Sequence, residues 1–444
     1  MALLLRGILW FGLYLFLILL PLLTAVLSRP ERQSPPFVVA LGVGAGFVGL
    51  SLMCLEFALI SRIKAAAQAF GEDSLQLFHN LMGMVALGFL IAHPVLLVIT
   101  IYPANCWLNP FAACANAISR AAALALYALI LLVGLSVWRK KLNIKYELWQ
   151  VTHGLLALFV LIGAEVHINA IGRYTSTPIM RVVWLIYGIL VAGLLIQYKI
   201  LLPLWSWNKT WEVVENRSER GDSRTLILKP VGHDGYSFQP GQFAWLKTGS
   251  TPFGPGQHPI SMSSAGDVEP GGEVAFTIKN LGDWSGEEVP SLRPGDRIWL
   301  DGPHGVFTMD RKQAMGYVFI AGGVGITPLH SMLQTMVERE DVRPVLLFYG
   351  GRDWQELTLR EELDALSAKL NLKLIYVLNA PHEGWQGETG YVTAEVLRRY
   401  LPKQYKRFVY FICGPDPMMD AMEQALPQLG IARESIQTER FAMV

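Results

Sequence analysis

Six apolar stretches, each long enough to cross a bilayer, fill the first 205 residues of the 444-residue chain. They run near 4–27, 37–60, 78–101, 120–138, 148–170 and 179–204, and a spanning helix needs about 20 residues. In lipid every backbone amide must be satisfied within the segment, so runs of this kind are helices. The first, Leu3 to Leu27, is longer than the apolar core of a signal peptide and lacks an obvious cleavage site, so it reads as a retained helix. Loop charge then sets the orientation. Arg62 and Lys64 follow the second span, Arg139, Lys140, Lys141 and Lys145 the fourth, and Lys199 and Lys209 end or follow the sixth. The alternate loops, with Arg29 and Arg32, Arg120, and Arg173 and Arg181, are less basic. Both termini are therefore predicted to be cytoplasmic.

Hydrophobic residues make up 52% of the chain, and the excess lies in this first half. A formal net charge of +1 gives no sign of nucleic-acid binding. Four cysteines are too few for a disulfide-built fold. Cys106 and Cys114 share the loop after the third span, on the outer side, where an oxidising compartment allows a disulfide; the sequence leaves their pairing open. Cys54 lies inside a span and reads as packing.

Four of the nine histidines lie in spans. His79 and His93 are on the third and His153 and His167 on the fifth, and both pairs are 14 residues apart (93 − 79 and 167 − 153). Fourteen residues make four helical turns less about 40°, so each pair shares one face. The rise is about 21 Å. Both helices run outward, so His79 meets His153 at the inner depth and His93 meets His167 at the outer. Two imidazoles from facing helices at each depth are what a six-coordinate b-type haem requires. Glu165, near the outer end of the fifth span, is an acid worth watching for proton transfer, although an interfacial carboxylate is the better account of it.

Past Trp207 the texture becomes that of a soluble protein. Residues 211–230 and 241–248 read as short alternating strands punctuated by Gly and Pro, which suggests a small antiparallel barrel up to about Asp310. Strand, Gly-rich turn, helix and strand then alternate, with strands at Tyr317 to Ile320, Val345 to Tyr349, Lys373 to Leu378 and Phe408 to Ile412. That is the pattern of a parallel sheet with helices.

Two constellations in this half suit nucleotide cofactors. His258, Pro259, Ile260 and Ser261, with Ser264 just beyond, offer hydroxyls and amides to a flavin and its phosphates. Lys279, Gly282, Trp284 and Ser285 follow, and a glycine before a helix start with open amides can hold a pyrophosphate. Asp301 to Gly305 reads as a tight turn. The second constellation opens with Gly322, Gly323, Gly325, Thr327 and Pro328, directly after an apolar strand, where backbone and helix N-terminus can take phosphates. Arg352 suits a 2′-phosphate and so favours NADPH, while Asp353 beside it keeps NADH open. Cys413, Gly414 and Pro415 follow the last of these strands, at the carboxyl edge where open sheets bind ligands. Phe441, near the end of the chain, is placed to cover a flavin ring.

These residues resemble the NADPH oxidase and ferric reductase superfamily along essentially the whole chain. His258-Pro259-Ile260-Ser261 looks like that family's flavin motif, with His in place of the Arg of soluble ferredoxin–NADP reductases. Gly282-Asp283-Trp284-Ser285 and Asp301-Gly302-Pro303 are similar to the oxidase branch. Gly325 to Pro328, Gly351 to Asp353 and Cys413 to Pro415 match the nicotinamide segments, and the paired histidines match the two-haem core. The resemblance implies a six-helix haem-binding bundle (1–207), then a ferredoxin–NADP reductase-like module of FAD-binding barrel (208–312) and NAD(P)H-binding α/β domain (313–444). It implies FAD, two b-type haems, and single-electron output to oxygen or a metal. The expected function is electron transfer from cytoplasmic NADPH to an extracytoplasmic acceptor, with O2 giving superoxide as the first expectation. A ferric chelate or an extracytoplasmic redox partner protein is the alternative. A bacterial inner membrane is the expected setting; oligomeric state is not legible. Two departures stand close to the acceptor: the outer half of span two, Phe37 to Leu50, has no basic residue. Leu97 also stands where animal oxidases carry a second histidine.

Overall fold

The computed structural model describes residues 2–28, 35–171, 174–254 and 256–440; Arg29, Arg32, Arg173 and Phe441 lie outside them. The chain forms two compact units, 1–203 and 204–444.

In the first unit, six helices are long and apolar enough to cross a membrane. They are α1 (Ala2–Leu27), α2 (Phe37–Ile60), α4 (Glu72–Val98), α6 (Ala117–Val137), α7 (Tyr146–Ile171) and α8 (Pro178–Ile196), with the short α3 (Lys64–Phe70) and α5 (Ala104–Leu108) between them. The third span starts at Glu72 rather than near 78, because Gly71 (φ 86°) breaks the chain there and the polar turn after it is already helical. Large apolar side chains such as Leu9, Leu81, Leu155 and Ile186 are exposed, as the lipid-facing side of a multi-pass membrane protein requires. α2 is the most deeply packed span, buried from Gly49 to Glu56. Its glycines let α4 come close, since helices in lipid associate through small residues. A Cβ on Gly42 would sit 3.1 Å from Leu96, one on Gly46 2.6 Å from His93 Nδ1, and one on Gly49 2.7 Å from Leu90. Gly163 of α7 packs on Ala125 of α6 in the same manner. Asn116 caps α6, its side chain accepting from Ser119 N at 2.9 Å. Cys106 and Cys114 form a disulfide across the loop that holds α5.

A π-helical turn (Gln197–Leu201) and α9 (Leu202–Ser206) end the bundle. The second unit opens with β1 (Thr210–Glu219), β2 (Ser223–Val231), β3 (Phe243–Lys247), β4 (His258–Ser261), β5 (Val274–Lys279) and β6 (Arg297–His304). They form an antiparallel sheet in the order β4-β3-β6-β1-β2-β5, around Trp211, Leu226, Leu228 and Phe276. The short α10 (Val289–Ser291) lies between β5 and β6.

A parallel sheet follows, from β7 (Tyr317–Gly322), β8 (Val345–Gly351), β9 (Leu372–Leu378), β10 (Glu388–Thr389), β11 (Val409–Cys413) and β12 (Ile436–Glu439). Its order is β10-β9-β8-β7-β11-β12. Helices α11 (Ile326–Glu338), α12 (Arg360–Ser367), α13 (Ala394–Tyr400) and α14 (Asp416–Gln428) connect the strands. One apolar cluster joins Phe319, Leu347, Leu329 and Met332, and another joins Val318, Ile320, Phe348 and Met419. Alternate side chains of the same strands thus feed two cores, which explains their unbroken apolar sequence. The order places the carboxyl ends of β7 and β11 side by side. The two sheets are stapled by Gly266 N donating to Thr335 Oγ1 at 2.8 Å and by Arg339, which holds Asp267 and Asp310.

Gly241 sits at φ +94° with the Phe307 carbonyl 2.2 Å from where a Cβ would be. Gly241→Ala is expected to destabilise this unit by at least about 1 kcal/mol, measured as a lowered thermal midpoint of the detergent-solubilised protein.

Candidate functional site

The four intramembrane histidines meet in two pairs. The ring centres of His79 and His153 are 6.4 Å apart and those of His93 and His167 are 6.3 Å apart. A ligating imidazole nitrogen lies about 2 Å from its metal with the ring centre roughly 1 Å behind it, so two rings across one metal have centres roughly 6 Å apart. Both pairs fit. Among the described residues no group of three or more His, Cys, Asp or Glu side chains is placed to hold a metal ion. Each pair therefore suits an iron whose remaining positions a macrocycle fills.

Other residues fix which ring nitrogen is available. His79 Nδ1 donates to the carboxylate of Glu56 on α2. His93 Nδ1 faces the Gly42 carbonyl at 2.8 Å, so Nδ1 must donate and carry the proton. His153 Nδ1 lies 3.0 Å from Ser136 Oγ, whose own proton goes to the Leu132 carbonyl at 2.8 Å; Nδ1 donates there too. In these three rings Nε2 keeps its lone pair for a metal. Trp149 also donates to Ser136 Oγ, at 3.2 Å, and its ring lies 5.2 Å from His153. At the outer pair Trp107 stands edge-on to His167 at 6.3 Å and packs on Tyr102 at 4.6 Å. A cavity opens there, lined by His93, His167, Leu97, Tyr102, Trp107 and Ala164 among others, with no Lys, Arg, Asp or Glu among the described residues of its wall. Glu165 instead holds Asn169, one turn along its own helix, at 2.7 Å.

Glu56 and Ser136 escaped the sequence reading because each acts from a different span than the histidine it serves. One signal for Glu56 was present: it is the only charged residue in 37–60, and an acid at membrane depth needs a partner.

In the soluble unit, His258, Pro259, Ile260 and Ser261 are themselves the edge strand β4, paired to β3. The His258 ring stacks on Trp284, centres 3.9 Å apart at 13°, and burial pushes its pKa down to about 4. Lys279 ends β5 and is half-buried. Two expected ligand groups are engaged locally instead. The Leu281 and Gly282 amides, read as open for a pyrophosphate, donate to Ser285 Oγ at 2.9 and 3.1 Å, because the segment folds into a tight π-turn from Trp284. Ser264 Oγ accepts from Ala275 N at 3.0 Å.

The Gly-rich loop packs against the end of β11. A Cβ on Gly325 would lie 2.2 Å from the Cys413 carbonyl, and one on Gly414 2.9 Å from Gly322 N. Gly323, at φ +54°, faces open space. Thr327 Oγ1 donates to Val324 O at 3.1 Å, and Pro328 is buried in the first turn of α11. Pro415 abuts Gly322 and precedes α14. Arg352 is 72% exposed, with Glu356 4.0 Å away, whereas Asp353 accepts from the Gln355 and Glu356 amides at 2.9 and 3.1 Å. Asp353 is thus committed to its own turn and Arg352 projects outward. Ser261 Oγ lies 3.4 Å from the buried carboxylate of Glu439, and Glu439 stands in register beside Cys413. Burial and that carboxylate push the Cys413 thiol well above its usual range, so it remains a neutral thiol.

Residues 45–164 match the family model of the ferric reductase-like transmembrane component, and residues 319–424 match that of the oxidoreductase NAD-binding domain. An NADH-cytochrome b5 reductase 1 of Debaryomyces hansenii is 37% identical over 145 residues, 32% of this chain and 51% of that protein. The xylene/toluene monooxygenase electron transfer component of Pseudomonas putida is 33% identical over 211 residues, 46% of this chain and 58% of that one. The chain thus spans little more than half of these relatives. Among solved structures, a flavohaemoglobin from Malassezia yamatoensis with bound FAD and haem superposes with TM-score 0.50 at 16% identity, covering 91% of this chain and 97% of that one; it speaks to fold alone.

Two outcomes are expected from this geometry. Gly46→Ala drives a Cβ into His93 and should destabilise the helix bundle, read as a lowered thermal midpoint of the detergent-solubilised protein. His258, buried neutral with its pKa lowered from 6.5 to about 4, contributes stability that is complete above pH 6.5 and lost as pH falls to 4. The soluble unit should lose up to about 3 kcal/mol over that window. His258→Gln should flatten the pH profile of its thermal unfolding.

Proposed function

This chain belongs with the ferric reductase-like transmembrane proteins that carry an NAD-binding oxidoreductase domain, and on that footing we propose that it moves electrons from cytoplasmic NADPH to an acceptor outside the membrane. The observation that carries the reading is the two imidazole pairs, with ring centres 6.4 and 6.3 Å apart at two depths of the same two helices. His79 and His153 would hold the inner haem and His93 and His167 the outer. Segment 1–207 serves as the haem bundle, 208–312 as the FAD barrel and 313–444 as the nicotinamide domain.

FAD, when bound, supplies the conversion of a two-electron hydride into single electrons, the only kind haem iron accepts. His258 to Ser261 and the β5–α10 turn would hold it. Gly322, Gly323 and Gly325 would receive the nicotinamide dinucleotide's phosphates, and Cys413, Glu439 and Ser261, which lie together, would border the site of hydride transfer. Exposed Arg352 supports NADPH, while relatives named for NADH keep that cofactor under test. The basic inner loops support a cytoplasmic soluble unit, and a bacterial inner membrane is the setting that fits. Among the described residues lining the cavity at the outer pair none is charged, which supports a small neutral acceptor, O2, over a charged ferric chelate or a docked redox protein.

The test is anaerobic addition of NADPH to the purified protein, which should give a reduced b-type haem spectrum; oxygen should then reoxidise the haem and yield superoxide. Ferric chelate added in place of oxygen separates the two acceptors, and parallel NADH runs separate the donors. His93→Leu should keep flavin reduction and lose one haem. A variant that retains its full haem content refutes the ligand assignment.

A further inference from the structure

α2 offers an acceptor to each ligand of α4, and the two are in register. Glu56 meets His79 and Gly42 meets His93; Glu56 and Gly42 are 14 residues apart (56 − 42), the spacing of the histidines themselves (93 − 79). The positions are equivalent but the chemistry differs. The inner acceptor is a carboxylate, only 8% exposed. The outer is a neutral backbone carbonyl. The opposite ligands do not offset this difference, since His153 meets the neutral Ser136 hydroxyl. His167 Nδ1 has no hydrogen-bond partner among the described residues.

We propose that Glu56 is a positioning residue that sets the direction of electron flow, by making iron at the inner pair easier to oxidise than iron at the outer pair. A carboxylate accepting from Nδ1 fixes the ring and raises the basicity of Nε2. A more basic ligand stabilises ferric over ferrous iron. The negative charge acts in the same sense, and in the low-dielectric bundle it is poorly screened. The inner site then has the lower reduction potential, and each electron passing from inner ferrous to outer ferric iron moves downhill. The same carboxylate in water would be nearly without effect; at this depth a lone acid is costly, and His79 is its partner.

The inference rests on the reading of the four histidines as haem ligands, and a spectroelectrochemical titration separates the two. The wild-type protein should titrate in two one-electron steps. Glu56→Gln keeps the shape and removes the charge; it should raise the lower potential towards the higher and leave the higher unchanged. Ser136→Ala should shift it much less. His93→Leu, which keeps only the inner pair, should titrate at the lower wild-type potential. Wild-type protein without haem sinks the ligand reading, and this inference with it. With haem present, an unchanged gap in Glu56→Gln overturns the proposal, as does a His93→Leu haem that titrates at the higher potential. Where Glu56→Gln loses its inner haem, Glu56→Asp keeps the charge, and an inner haem there that has left the lower potential overturns the proposal.

Discussion

A buried imidazole has two nitrogens to satisfy, and lipid offers nothing to either. The membrane unit is organised around that constraint. Giving Nδ1 an acceptor orients the ring and leaves Nε2 to face across the bundle. The acceptors come from neighbouring helices, Glu56 and Gly42 on α2 and Ser136 on α6. Those helices must therefore approach the ligand helices closely. Gly42, Gly46 and Gly49 permit it on one side and Gly163 on the other. At His93 the small residues and the acceptor coincide: Gly46 lies against the ring and the Gly42 carbonyl accepts from it.

The soluble unit obeys a different constraint, which is access to a strand end. The order β8-β7-β11-β12 brings the Gly-rich loop, Cys413 and Glu439 to one edge, and β4 contributes Ser261 from the other sheet. Local side chains close several backbone amides, as Ser285 does for Leu281 and Gly282 and Asp353 does for the turn after it. Gly323 and Arg352 are among the residues left outward.

How much of this was legible depended on the range of the interaction. The spans, the shared faces of His79 with His93 and His153 with His167, and the strands from Tyr317 onward follow from periodicity within one segment, and all are present. The third span began earlier than its hydropathy suggested, because a polar turn can be helical outside the lipid. Glu56, Ser136 and Glu439 act on groups far away in sequence, and no spacing rule reaches across helices or sheets. The Cys106–Cys114 bond was undecided for the same reason: proximity of two thiols within a loop depends on how the loop folds. The hydroxyls of Ser285 and Ser264 also accept from backbone amides, of Leu281 and Gly282 and of Ala275, pairings that no motif announces.

The disulfide has a further consequence. It closes the loop that carries Trp107 onto His167, beside the place where electrons are proposed to leave. The position of Trp107 at that exit is thus held by a covalent bond in its own loop and not by packing alone.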